Sequence, residues 1–248
     1  MIICKSPAEI EKLRQSGRLV RELLEEVRER VRPGVSTLEL EKYVERRLRE
    51  VGAQPAFKGY RGYPCCICAS VNEQIVHGIP SERRLQEGDI LSLDLGLVLD
   101  GYYGDAALTV PVGQISEPLR RLLRVTEEAL ELAIAQARVG NRLGDISAAV
   151  ETHAERNHYS VVREFVGHGI GRELHEEPQI PNFGVPGHGP LLRPGMVLAI
   201  EPMINSGRPE IRVLDDHWTA VTADGGYSAH FEHMVAITPN GPDVLTRL

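Results

Sequence analysis

The chain has 248 residues, 42% of them hydrophobic, and a formal net charge of −7, which is enough length for one large domain or two small ones. No run of eighteen apolar residues occurs, excluding a membrane-spanning helix, and Met1-Ile2-Ile3-Cys4-Lys5 lacks the apolar core of a signal peptide. The acidic balance weighs against a general nucleic-acid binder.

In chain order, residues 7–31 predict a helix capped by Ser6, with Pro7 at its first position and Leu13, Val20, Leu23, Leu24, Val27 and Val31 as an apolar stripe. After the turn Arg32-Pro33-Gly34, a second helix starts at Ser36 or Thr37 and is closed by Gly52; Leu38, Leu40, Tyr43, Val44 and Leu48 form its buried face. A loop rich in aromatic residues and glycine, 57–64, follows. The cysteine cluster Cys65-Cys66-Ile67-Cys68 comes next. Its spacing fits neither a disulfide framework nor a C-x-x-C zinc site, and free thiols point to a cytoplasmic protein.

A second helix pair is predicted from Glu117-Pro118 to about residue 137 and from Gly140 to about Asn157. At an offset of 106, Arg32 falls on Arg138, Gly34 on Gly140, Leu40 on Ile146 and Val44 on Val150. At an offset of 107, Gly88 falls on Gly195, Leu91 on Leu198 and Asp94 on Glu201. The chain therefore reads as two related halves, roughly 1–115 and 116–248, within a single domain over 1–248.

Four strand-like stretches each deliver one carboxylate: Asp94, Asp105, Glu201 and Glu232. Around Asp94, Leu91, Leu93 and Leu95 face one way while Ser92, Asp94 and Gly96 face the other; Val197, Ala199 and Glu201 repeat that arrangement. A single strand carboxylate is more often a structural salt bridge. Four of them converging would repel unless cations sat between them. Two dications about 3.5–4 Å apart repel by roughly 18 kcal/mol at an effective dielectric near 20, so anionic bridging groups are essential to such a site. His168, between Gly167 and Gly169, is the candidate imidazole ligand.

The ordered set Asp94, Asp105, His168, Glu201, Glu232 resembles type I methionine aminopeptidase. So do His77-Gly78-Ile79-Pro80, Gly167-His168-Gly169-Ile170-Gly171, His175-Glu176-Glu177-Pro178 and Glu201-Pro202-Met203. The resemblance covers nearly the whole chain. It implies an α+β, α/β-rich, pita-bread (creatinase/aminopeptidase-like) fold, with two pseudo-symmetric halves around a curved antiparallel sheet. It also implies removal of the initiator methionine from nascent proteins, with a small second residue preferred, through attack by a metal-bridging hydroxide.

By that resemblance Asp94 binds one divalent metal, His168 and Glu201 bind the other, and Asp105 and Glu232 bridge them. The metals would be Co, Mn, Fe or Zn. Glu201 is the candidate proton shuttle. His77 would contact the nitrogen side of the scissile peptide and His175 the carbonyl oxygen. Phe57, Tyr60, Tyr63, Cys68, Leu174 and Trp218 would line the methionine slot. Phe57 and Leu174 depart from the cysteine and phenylalanine common at those positions, a larger wall opposite a smaller one. The family further implies a monovalent cation near Asn72, Gln74 and Ser228, a monomer, and a route to the ribosome, with no specific nucleic acid and no membrane. His230 and His233 flank a ligand and are further candidates to line the site; His153, His158, His188 and His217 read as solvated or structural.

Three rival readings stand beside this one. A proline-specific aminopeptidase or dipeptidase of the same fold usually carries an additional N-terminal domain, whereas this chain begins its first helix within ten residues. A binding module that has lost catalysis usually lacks one or more of the five ligands. An unrelated two-metal phosphoesterase would need a basic cluster to hold phosphate, and none is evident.

Overall fold

The computed structural model describes residues 1–248. Helices α1 (Pro7–Arg28) and α2 (Thr37–Val51) open the first half, and α3 (Glu117–Gln136) and α4 (Leu143–Arg156) open the second. Ser6 accepts from the Glu9 N–H while the Glu9 carboxylate accepts from the Ser6 N–H, a reciprocal cap that fixes the start of α1. Helix α1 ends at Arg28, short of the expected Val31. The Glu29 N–H already bonds back to Glu25 and Val27, and Pro33 disfavours helical geometry at Arg32. Ser36 caps α2, and Gly52, at φ 72°, closes it.

Fifteen strands complete the chain. In the first half they are β1 (Gln54–Pro55), β2 (Ile67–Val71), β3 (Gln74–Val76), β4 (Ile90–Leu99) and β5 (Tyr102–Pro111). The second half holds β6 (Ser160–Val161), β7 (Val166–Gly169), β8 (Glu176–Pro181), β9 (Val197–Ile200) and β10 (Met203–Asn205). It continues through β11 (Ile211–Val213), β12 (Ala220–Thr222), β13 (Ser228–His230), β14 (His233–Thr238) and β15 (Gly241–Val244). Every strand pair is antiparallel. The ladder is divided into four sheets, in the orders β1-β4-β2 with β5 paired to β4, β13-β10-β6, β11-β12-β3 and β15-β14-β9-β7-β8.

The two halves repeat in detail. Gly34 and Gly140 share positive φ (88° and 95°), as do Gly88 and Gly195 (93° and 89°). Leu40 and Ile146 are buried, as are Leu91 and Leu198. Each half has its own core: Leu24, Leu40, Leu91, Leu93 and Leu95 in the first, and Leu122, Ile146, Leu198 and Val235 in the second. A third cluster, with Leu13, Phe57, Tyr63, Ile170, Leu174 and Met234, draws on both halves and lies against the site.

The seam is stitched by a few specific bonds. The Thr109 hydroxyl donates to the His230 carbonyl (2.8 Å) and accepts from the His230 N–H (2.9 Å). The Glu232 N–H donates to Ala107 O at 2.9 Å. Helix α1 sits directly on β5: a Cβ on Gly104 would lie 2.5 Å from the Ser16 carbonyl oxygen, so only glycine admits this approach. Leu93 is fully buried beneath that layer. Leu93→Ala is expected to cost about 3 kcal/mol, read as a fall in the denaturation midpoint without a change in slope.

Candidate active site

Strand β4 places Asp94 and strand β5 places Asp105, because alternation turns their apolar neighbours into the first-half core and leaves the carboxylates on the opposite face. Register sets Asp94 opposite Ala107 and Asp105 opposite Gly96, so small partners leave space around both acids. Glu201 and Glu232 differ from the strand positions expected of them. Glu201 follows the last residue of β9 and precedes Pro202, which has no N–H to continue a ladder. Glu232 lies in the gap between β13 and β14, where its N–H crosses to Ala107 of the other half. That crossing carries its carboxylate to Asp105. His168 is on β7, with a register slip between it and Gly169.

All five expected ligands face one cavity of about 270 Å³, shared with Phe57, Tyr60, Tyr63, Cys68, His77, Leu174, His175 and Trp218. The tightest group is Asp105, His168 and Glu232, each offering a ligand atom within 4.8 Å of the others. His168 Nε2 is 3.5 Å from Glu201 Oε1 and 3.8 Å from Asp105 Oδ2. Asp94 lines the same cavity outside that tight trio. The cavity walls also include Phe165 and Arg61, which sequence reasoning did not single out; Phe165 meets the His77 ring edge-on at 5.2 Å between centroids. The one available signal was place: Arg61 sits inside the aromatic loop, and Phe165 lies three residues before His168.

The two flanking histidines separate. His230 is buried, with Nε2 3.4 Å from Glu201 Oε2, whereas His233 turns away and pairs its Nδ1 with the Thr246 hydroxyl at 2.8 Å.

Burial dominates the electrostatics. It raises the Asp94 carboxyl to about 7, with the Glu201 charge pushing the same way and His230 opposing. It raises Asp105, Glu201 and Glu232 well above the ordinary carboxylate range, and neighbouring carboxylates add to this at Asp105 and Glu232. Burial lowers His77 to about 4 and His168 to about 3, so both imidazoles are neutral near pH 7. His175 is lowered by burial and then by Arg61. Burial pushes the Cys65 thiol up to about 11 and the Cys66 thiol to about 12.

Does this donor set fit cations? Seven buried side-chain polar atoms in the whole chain lack a hydrogen-bond partner, and five of them belong to Asp94, Asp105, Glu232 and His230. Buried polar atoms are ordinarily paired, so this concentration marks a place where something other than protein satisfies them. Hard carboxylate oxygens with a neutral imidazole suit divalent transition metals. The residues fit such ions.

The slot beside the carboxylates is shaped by Phe57. A Cβ on Gly96 would lie 2.5 Å from its Cε1, so the Phe57 ring packs against the glycine two residues beyond Asp94. The Tyr63 hydroxyl donates toward Ile67 O (3.2 Å) and Gly78 O (3.1 Å), which turns its ring edge to Trp218 at 5.1 Å. Tyr60 presents its hydroxyl 2.8 Å from His175 Nδ1. Asn72 and Ser228 are also adjacent, the Ser228 N–H donating to Asn72 O at 3.0 Å.

Fold and site together define a pita-bread protein with a buried carboxylate–imidazole centre at the seam of two related halves. The chain belongs to metallopeptidase family M24, whose model matches residues 11–239. It is 53% identical to methionine aminopeptidase 1 of Bacillus subtilis over 248 residues, covering all of both chains. The crystal structure of methionine aminopeptidase from Thermotoga maritima superposes over the whole of both chains with a TM-score of 0.98 at 48% identity. The prolidase of Pyrococcus horikoshii shares the fold, with a TM-score of 0.81 at 24% identity; this chain spans 64% of it.

Proposed function

We propose that this protein is a metal-dependent methionine aminopeptidase that removes the N-terminal methionine from proteins, preferring a small second residue. The observation that carries the reading is one cavity lined both by the carboxylate–imidazole cluster and by apolar and aromatic side chains. An apolar slot with aromatic walls and a thiol suits an unbranched thioether. Phe57 and Leu174 line it together, the bulkier wall offsetting the smaller one. Such a slot separates methionine from leucine by only about 1–3 kcal/mol, so selectivity is strong but incomplete.

In this reading Asp94, Asp105, His168, Glu201 and Glu232 would hold two divalent ions. When bound, such ions activate water near neutral pH and polarise the scissile carbonyl. The chain's own side chains do the rest. His77, neutral and fixed between Phe165 and Trp218, hydrogen-bonds the nitrogen side of the scissile peptide. With the Tyr60 hydroxyl, 2.8 Å away, as donor to His175 Nδ1, the Nε2–H would be left to meet the carbonyl oxygen as charge develops there. Glu201, with Oε2 facing His230, is the side chain that would take the proton released by the attacking water and return it to the departing peptide nitrogen. The backbone carbonyls of Asn72, Gln74 and Ser228 are the proposed hold for a monovalent cation. No helix is long and apolar enough to cross a membrane. We place the protein in the cytoplasm as a monomer acting on nascent chains, including those still at the ribosome.

The test is methionine release from Met-Ala-Ser by metal-stripped protein, with Mn²⁺, Co²⁺, Fe²⁺ or Zn²⁺ returned, beside Leu-Ala-Ser and X-Pro peptides. Metal-dependent release from the methionyl peptide, with little from the leucyl one and none from X-Pro, is expected. Cleavage confined to X-Pro would move the protein to the prolidase side of the family, and silence on all peptides would overturn the reading.

A further inference from the structure

We infer that Lys5, in the arm ahead of α1, is a positioning residue for His175; this rests on the proposed aminopeptidase function. The Lys5 backbone N–H donates to Gly195 O at 2.6 Å, and its side chain runs inward to an ion pair with Glu176 Oε2. The two side chains are 3% and 8% exposed, so the pair is buried. Glu176 uses its other oxygen to close the turn behind it: Oε1 accepts from the Arg172 N–H (2.9 Å) and the Glu173 N–H (3.4 Å). One carboxylate thus folds the segment from Gly171 to Glu176 and ties it to the arm.

That segment carries two parts of the site, Leu174 in the slot wall and His175 against the Tyr60 hydroxyl. The fit is tight: a Cβ on Gly171 would lie 2.3 Å from Lys5 Cε and 2.5 Å from Glu176 Oε1. Glu176 also begins β8 opposite Gly169, where the register slips after His168. The His175 ring lies 4.3 Å from that of His168. A buried ion pair adds little net stability compared with apolar residues of the same shape. What it does supply here is position, because the ammonium has only Glu176 and the Ile3 carbonyl (3.3 Å) as partners.

The experiment is Lys5→Met, which keeps the length and volume of the side chain and removes the ammonium. It is assayed on Met-Ala-Ser in the full chain with Mn²⁺, alone and combined with His175→Ala, with melting temperatures in parallel. A loss of kcat of about ten- to hundredfold is expected, as for sub-ångström to ångström misplacement of a catalytic group, with KM little changed. In the His175→Ala background Lys5→Met should change the residual kcat hardly at all, since groups acting as a unit are non-additive. Unchanged kcat in Lys5→Met would overturn the inference. So would an equal fold loss in both backgrounds, which marks a general structural role. If Lys5→Met does not fold, Lys5→Met/Glu176→Gln, which leaves no charge unpaired, takes its place with the same outcomes. Wild-type protein that releases no methionine would refute the proposed function itself and this inference with it.

Discussion

Asp105→Asn is expected to lower methionine release by at least 10²-fold while leaving the protein folded. Losing an outer partner of a metal ligand typically costs about 10–100-fold, so loss of a direct anionic ligand should exceed that. Asp105 is the best single probe of the centre, since it belongs to the tight trio with His168 and Glu232 and its Oδ1 lacks any protein partner. A structural role predicts something different. If Asp105 were a salt-bridging strand residue, neutralising it would destabilise the protein with or without metal. In the metal-dependent reading, the metal-free protein carries buried carboxylates that disfavour one another's charge, and Asn relieves one of them. Metal-free Asp105→Asn should therefore melt no lower than metal-free wild type, and only the metal-induced rise in melting temperature should shrink. Near-normal turnover would refute the ligand assignment; a lower metal-free melting temperature would restore the structural reading.

The parts of this molecule that follow from local rules were legible in the sequence. Ser6 and Ser36 cap their helices, Gly52 ends α2, and the paired glycines Gly88 and Gly195 adopt nearly the same φ. Period-two alternation placed Asp94 and Asp105 correctly because long strands β4 and β5 hold them. Glu201 and Glu232 reach the same cavity, but each lies just outside a strand, where ladder hydrogen bonds give way to a proline and to a bond across the seam. Alternation describes a residue within a strand, whereas those two positions are set by how one half meets the other. The same limit explains Phe165, Arg61 and the Lys5–Glu176 pair. Each acquires its role through partners far away in sequence, and nothing in the local residue pattern records that distance. His230 and His233 show the boundary well: identical residues three apart, of which the seam turns one toward Glu201 and the other toward Thr246.

The second large effect concerns pH and metal removal together. Asp94 is raised to about 7 by burial first, and Asp105, Glu201 and Glu232 are raised for the same first reason. A carboxyl whose folded pKa exceeds its unfolded value of about 4 contributes stability that is complete below that value and is lost as pH rises through the folded one. The buried histidines act oppositely. His77 at about 4 and His168 at about 3, with His230 also lowered, contribute stability above the unfolded histidine value near 6.5 that is lost as pH falls. Between roughly pH 4 and 6.5 the two sets offset each other. Above about 6.5 the histidines are neutral in both states and only the carboxyls remain, so metal-free stability should fall with rising pH. Each carboxyl protonated only in the folded state contributes a slope of about 1.4 kcal/mol per pH unit, or roughly 3–6 °C in a domain of this size. Bound metal reverses the sign, because its ligands must be deprotonated and binding releases their protons. The metal-stripped protein should therefore melt lower at pH 8 than at pH 6.5, while the stabilisation by Mn²⁺ grows over the same interval. Calorimetric Mn²⁺ titrations in two buffers of different ionisation enthalpy should show net proton release at pH 6.5. Asp105→Asn, with one fewer carboxyl to ionise, should flatten the metal-free slope. Melting independent of pH in the metal-free state, together with no proton release, would mean that the four carboxylates are already ionised without metal. Burial would then not be the force that governs the site.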